Sequence, residues 1–209
     1  MPVATADLGR RERKKEETRQ ALIDAAVDLF SVKGFEATTV EDIAEVVDVS
    51  SRTFHRYFAS KEDVLFADAE ARLERFADAL AARPADEDVL ASLRAGAHVM
   101  AELLLDRPEL EATCHRLLDN SPLLQAQGLR RTEEWAGMVA EYVADRLGVE
   151  ADDPLPQLLA GCAVVVLRTA RQQWAKNPGT DLRREIDRGF DMIGHLAEVA
   201  APQRKTKQR

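Results

Sequence analysis

Arg52 and Arg56 lie four residues apart in Ser50-Ser51-Arg52-Thr53-Phe54-His55-Arg56-Tyr57-Phe58, a spacing that sets two guanidinium groups on one helix face, a turn apart. A guanidinium fork donates two parallel hydrogen bonds to O6 and N7 of guanine, a pairing worth about 1 to 3 kcal/mol of discrimination. A single arginine on a helix surface is more often only a solvated charge. Here Ser51 stands beside the pair, and the stripe Val49, Phe54, Phe58 turns the opposite side inward, which leaves Ser51, Arg52, His55 and Arg56 on the outer faces where base edges would lie. Thr39, Tyr57 and Lys61 place hydroxyls and an ammonium near helix ends. Such groups suit phosphate contacts, which set register without reading sequence.

Helical periodicity supplies the elements that must carry these groups. Leu22, Ala25, Ala26, Leu29 and Phe30 recur at threes and fours and predict a helix from about Glu16 to Lys33, stopped at Gly34. Val40, Ile43, Ala44 and Val47 predict a second, short helix with Thr39 as its cap. Ser50 caps a third that runs through Phe58, and only Asp48-Val49 separates the two. Two short helices meeting at such a turn form a helix-turn-helix, whose second helix enters the major groove. Ser60 with Asp63 reads as a partial capping box opening a helix to about Ala82, before the break at Arg83-Pro84-Ala85-Asp86. Further helices are predicted over about 86–105, 108–119, 122–147, 154–176 and 181–200, with proline near four of the starts and Gly148 and Gly179 at stops. The triplet Val164-Val165-Val166 continues the helical pattern around it and reads as buried helix, not strand.

Two runs carry a more specific signal: Thr38-Thr39-Val40-Glu41-Asp42-Ile43-Ala44, and Val49-Ser50-Ser51-Arg52-Thr53-Phe54-His55-Arg56-Tyr57-Phe58-Ala59-Ser60-Lys61-Glu62. Together they resemble the signature of the tetracycline-repressor (TetR) family, over about Arg19 to Leu65. The later helices match that family only in count, length and order. The resemblance implies a homodimeric, ligand-responsive transcription factor, usually a repressor. It also implies Ser51, Arg52, Thr53 and Arg56 as base contacts, with Thr39, His55, Tyr57 and Lys61 mainly on phosphates. Asp48 stands where the family usually has glycine, and an aspartate enters the left-handed region less easily. His55 replaces a typical tyrosine, which would make one phosphate contact pH-dependent near neutrality.

The 209 residues are 45% apolar but only 5% aromatic, a composition resting on Ala, Leu and Val that favours an all-α fold. The expected architecture is a three-helix helix-turn-helix domain followed by a larger helical ligand-binding and dimerisation domain, about nine helices in all. Boundaries are read as a basic arm over 1–15, the DNA-binding domain over 16–62, the regulatory domain over 63–201 and a basic tail over 202–209. The longest uncharged stretch, Pro154 to Leu167, falls short of the roughly 20 apolar residues that span a bilayer. No secretion signal opens the chain, so a cytoplasmic location and no membrane partner are expected. Cys114 and Cys162 are too few for a disulfide framework and lack metal-site spacing. Neither HExxH, GxSxG nor GxxxxGK[ST] occurs, so no enzyme, cofactor or metal is expected.

The net charge of −8 would disfavour nucleic acid if it were evenly spread. Instead positives cluster from Arg10 to Arg19 and from Arg204 to Arg209, with most of the acid excess between. Arg10, Arg11, Arg13, Lys14 and Lys15 could follow phosphates or enter the minor groove, or form a disordered solubilising end. Trp135, Met138, Val139 and Tyr142 make one apolar stripe, and Cys114, Leu117 and Leu118 another. Each reads as core, or, with Met100, as the wall of a pocket for a small apolar or amphipathic effector such as an acyl chain or aromatic compound. Leu159, Ala163, Val166 and Ala170, with Ile186, Phe190, Ile193 and Ala197, give two stripes near heptad spacing, with Gly161, Gly189 and Gly194 permitting close approach. They read as intramolecular core or as the four-helix dimer interface that the resemblance implies. The rival to a ligand-released repressor is a ligand-independent DNA-binding or adaptor protein whose larger domain only dimerises or docks a partner.

Overall fold

A computed structural model of the chain describes the backbone of residues 3–177 and 179–200, and side chains between 9 and 195 apart from 178. The Arg204 to Arg209 tail and the Ala197 side chain lie outside the described residues. Among the described residues every regular element is helical. The chain forms two compact units, one of residues 1–70 with 107–126 and one of residues 71–106 with 127–209.

The first unit begins with α1 (Val3–Lys33). Leu22, Ala26 and Phe30 are its deepest side chains, as their periodicity predicts. Gly34 closes it in the left-handed region at φ 91°, donating its N–H to the Phe30 carbonyl at 3.1 Å. The helix starts well before Glu16, so the basic segment is helical and not a loose end. Its Arg, Lys and Glu residues are strong helix formers, and Glu16 pairs with Arg19 at 3.1 Å on its surface.

The next two elements are α2 (Val40–Val46) and α3 (Ser51–Phe54). Thr39 Oγ1 accepts from the Asp42 N–H at 3.1 Å while Asp42 Oδ2 accepts from the Thr39 N–H at 2.8 Å, a reciprocal box that fixes the start of α2. At its end Asp48 adopts φ 55°. The Asp48 and Val49 N–H groups reach back to the Glu45 and Ala44 carbonyls, so the aspartate takes the left-handed position that glycine would occupy with less strain. Ser50 Oγ caps α3 by accepting from the Thr53 N–H at 3.1 Å.

Two expectations are corrected here. The third helix stops at Phe54, because Arg56 and Tyr57 donate to carbonyls three residues back and tighten His55 to Tyr57 into turns. The helix predicted from Ser60 to Ala82 is two pieces, a 3₁₀ turn Glu62–Phe66 and α4 (Ala69–Ala81). Arg19 explains the break: its guanidinium takes the Ala67 carbonyl and, at 2.8 Å, Asp68 Oδ1, removing a backbone acceptor from any continuous ladder.

Then come α5 (Val89–Leu105), α6 (Pro108–Asn120), α7 (Pro122–Leu147), α8 (Pro154–Lys176) and α9 (Leu182–Ala200). Val164 to Val166 are helical, as read. In the second unit the Phe76 ring of α4 stacks on Trp135 of α7, centroids 5.8 Å apart. A Cβ at Gly96 would stand 2.8 Å from the same ring, and one at Gly189 2.6 Å from Val166 Cγ1. Both glycines therefore exist for helix contact, and Gly189 seats α9 directly on α8. Gly161 and Gly194, given the same role by the sequence, meet nothing within 4 Å.

Ala163, Val166, Ala170, Ile186 and Phe190 are buried inside the chain's own α8–α9 core, with Leu159 and Ile193 half-buried beside them. The apolar side chains left outward are Leu155, Leu158 and Val165 on α8 and Met192 on α9.

Candidate DNA-binding site

The predicted readers share one small surface built by α2, the turn and α3. Phe54 anchors it, fully buried and 5.6 Å from the Phe58 ring, within a core that includes Leu22, Phe30, Ile43 and Val64. With Phe54 pointing inward, Arg52, His55 and Arg56 are exposed and Ser51 and Thr53 half-exposed. Arg52 makes no ion pair or hydrogen bond among the described residues. Arg56 instead lies over the Tyr57 ring, its guanidinium carbon 5.1 Å from the centroid and its Nη2 donating to Tyr57 Oη at 3.3 Å. This pairing restricts both side chains before any contact is made. Thr53 Oγ1 lies 3.0 Å from Ser50 Oγ, so Thr53 shares its hydroxyl with the cap.

Ser51 donates to Glu41 Oε1 at 3.4 Å. Glu41 thus lies beside the readers, a placement that spacing does not reveal, since nothing local links a residue of α2 to the start of α3. Asp42 also supports the site from α2, and for it the spacing Thr39-Val40-Glu41-Asp42 is a signal, that of a capping box.

Of the expected phosphate groups, Thr39 and His55 are exposed and Tyr57 is half-buried. Lys61 is different: its Nζ donates to the Phe35 carbonyl at 2.7 Å and the Thr38 carbonyl at 2.8 Å, and lies over the Phe35 ring. The arm residues Arg10, Arg11, Arg13 and Lys14 are exposed on α1.

Electrostatics tightens the start of α2. Lys33 Nζ reaches Asp42 Oδ2 at 2.5 Å, and this bond, with those from the Thr39 N–H and hydroxyl, lowers the Asp42 carboxyl to about 2. A depressed carboxyl adds stability that is complete above its ordinary range near 4 and vanishes as pH falls towards 2. Asp42→Asn should therefore lower the thermal midpoint at pH 5 to 7, and the wild-type and variant curves should converge between about pH 4 and pH 2. Parallel curves across that range, followed by calorimetry, would remove Asp42 as the titrating partner.

The candidate effector residues divide between the two units. Met100, Trp135, Met138, Val139 and Tyr142 belong to the second unit, whereas Cys114 and Leu118 pack with the core of the first. Met100 and Val139 are buried, and Tyr142 Oη is buried with no hydrogen-bond partner among the described residues. His98 bonds Asp187 at 2.8 Å. Neither Cys114 nor Cys162 forms a disulfide among the described residues. No described helix is long and apolar enough to cross a membrane.

Known proteins match the chain at both ends of this description. Residues 22–67 match the model for bacterial regulatory proteins of the tetR family, and residues 87–197 the model for the MftR C-terminal domain. The transcriptional regulator TcmR of Streptomyces glaucescens is 39% identical over 182 residues, which cover 83% of this chain and 80% of that one. The regulator MftR of Mycobacterium tuberculosis is 28% identical over 187 residues, 87% of this chain and 92% of its own. Among solved structures, FadR of Bacillus subtilis bound to stearoyl-CoA superposes with a TM-score of 0.63 at 17% identity, covering 83% of this chain and 96% of that one.

Proposed function

The chain belongs to the TetR family of bacterial transcriptional regulators, and from that premise we propose that it binds a palindromic operator as a homodimer and leaves it when a largely apolar effector binds. Regulators of this family are ligand-responsive DNA-binding repressors, and the observation that carries the reading to this chain is the exposed, unpaired Arg52 at the second position of a helix capped by Ser50. Its guanidinium is available for a guanine edge. Arg56 reads beside it, with Ser51 and Thr53, while Thr39, His55 and Tyr57 contact phosphates and the Arg10 to Lys14 segment adds charge. Residues 16–62 form the DNA-binding domain and residues 63–201 the regulatory one. A cytoplasmic location follows from a duplex-DNA target.

Dimerisation uses the outward face of α8 and α9, because the inward one is already filled. Leu155, Leu158 and Val165 with Met192 supply apolar surface of the sort that helix pairs bury on a two-fold axis. The effector site lies among Met100, Trp135, Met138, Val139 and Tyr142, where the unpartnered Tyr142 hydroxyl offers a hydrogen bond to an otherwise apolar molecule. Binding there would change the spacing of the two recognition helices, and by linkage DNA and effector weaken each other equally.

Selection of bound fragments from random duplex DNA, with and without a metabolite extract, tests the reading. An inverted-repeat consensus that the extract displaces is the expected result. Failure to enrich any site would overturn it. On the selected operator Arg52→Ala should lose about 1 to 3 kcal/mol of discrimination at one base pair per half-site while binding to random DNA is nearly unchanged. Equal losses on all sequences would remove Arg52 as a reader.

A further inference from the structure

We propose that Lys61 is a positioning residue for DNA recognition: it fastens the two ends of the helix-turn-helix together and does not itself grip a phosphate. An ammonium has three donors, and three backbone carbonyls surround this one: Phe35 at 2.7 Å, Thr38 at 2.8 Å and Glu36 at 3.4 Å. The Phe35 ring, itself buried, closes the fourth side with its centroid 4.5 Å away. Each of the three donors has a backbone carbonyl within hydrogen-bond distance.

The carbonyls all belong to the loop between α1 and α2. That loop leaves Gly34 in the left-handed region, and the buried Thr38 turns its hydroxyl back to the Gly34 carbonyl at 2.8 Å. It ends at Thr39, the cap of α2. Lys61, for its part, directly follows Ser60, whose N–H and hydroxyl are held by Asp63 at 3.0 and 2.9 Å. One side chain therefore ties the entrance of α2 to the exit from α3 and its turns. All the proposed base contacts, Ser51 to Arg56, lie inside the segment so closed. The four-residue α3 is too short to hold its own direction, so its aim depends on closure of this kind and on Phe54.

Carbonyl oxygens that meet inside a loop repel one another unless a cation stands between them. Removing the ammonium leaves them facing each other, and the loop must open to let water in. A guanidinium cannot take the same place, because its donors are spread over a planar fork and cannot converge from one nitrogen. Lys61→Arg thus separates the two roles. It keeps the charge that a phosphate contact needs and loses the geometry that a fastening needs.

The inference rests on the DNA-binding reading above, and one half of its test needs no DNA. Hydrogen exchange at the amides of residues 39–43 should quicken at least several-fold in Lys61→Met and in Lys61→Arg, while those of residues 22–30 stay protected. Unchanged exchange at 39–43 would overturn the fastening role whatever the protein binds. On the selected operator both variants should lose about tenfold in affinity, the scale of one or two charge-assisted hydrogen bonds, with the dependence of affinity on salt unchanged and binding to random DNA little moved. A phosphate contact behaves otherwise: Lys61→Arg would bind as wild type, and Lys61→Met would flatten the logarithmic salt slope by about 0.9 on every sequence. That pattern, or wild-type operator affinity in both variants, overturns the proposal. A wild-type protein that selects no operator while its variants exchange faster would instead count against the DNA reading alone.

Discussion

Leu158→Glu combined with Val165→Glu should leave a folded monomer that binds the operator about a hundredfold or more weakly, the usual scale of avidity lost when one of two linked sites is removed. The two residues lie seven apart on α8, two helical turns, and are 64% and 49% exposed in the single chain. Charges there meet only solvent in the monomer, so the fold is little affected. In a two-fold pair the same carboxylates would face their own copies across an apolar seam, where burying like charges is prohibitive. Light scattering at micromolar concentration gives the mass, and titration of a half-site against the full palindrome shows whether the second reader is lost. A doubled mass with unaltered operator affinity would remove this face from the assembly. Ile186 and Phe190 provide the contrast. Fully buried against the chain itself, they should lower stability when truncated, without a selective loss of dimer.

Phe54→Ala should destabilise the first unit by about 3 to 5 kcal/mol, the range for truncating a buried aromatic. The ring is completely buried and packs at a 49° tilt against the Phe58 ring, and α3 has only four residues of its own. Operator binding should then disappear well below the wild-type melting temperature. Exchange measurements should localise the lost protection to residues 19–65, with the second unit less affected. A shift under about 1 kcal/mol in urea titrations would mean that the helix is held by something other than this ring.

What could be read ahead of the structure was whatever depends on near neighbours. Caps at Thr39 and Ser50, the stop at Gly34, and the proline starts of α6, α7 and α8 are local chemistry, and they appear where the residues place them. The break at Ala67–Asp68 is not local, because its cause is an arginine 49 residues earlier in the chain. The final two helices show another limit. Leu155, Leu158 and Val165 recur at helical intervals just as Leu159, Ala163 and Val166 do, so periodicity alone could not say which stripe faces inward. The notch at Gly189 decides it, by admitting Val166. Lys61 stands out in the sequence but its partners do not, since backbone carbonyls leave no mark there.

The 31 residues of α1 rise about 1.5 Å each, which makes a shaft roughly 46 Å long. Arg10 to Lys15 are mounted on that shaft instead of trailing from a tether. A tether can search for polyanions in any direction but surrenders about 1 to 2 kcal/mol of backbone freedom for every residue it immobilises. A rigid strut loses almost none, yet it offers its cations only along its own axis and at its own helical phase. Lengthening or shortening it by two residues would rotate those cations by more than half a turn about that axis, so the grip of the strut is tuned by its length as well as by its charge.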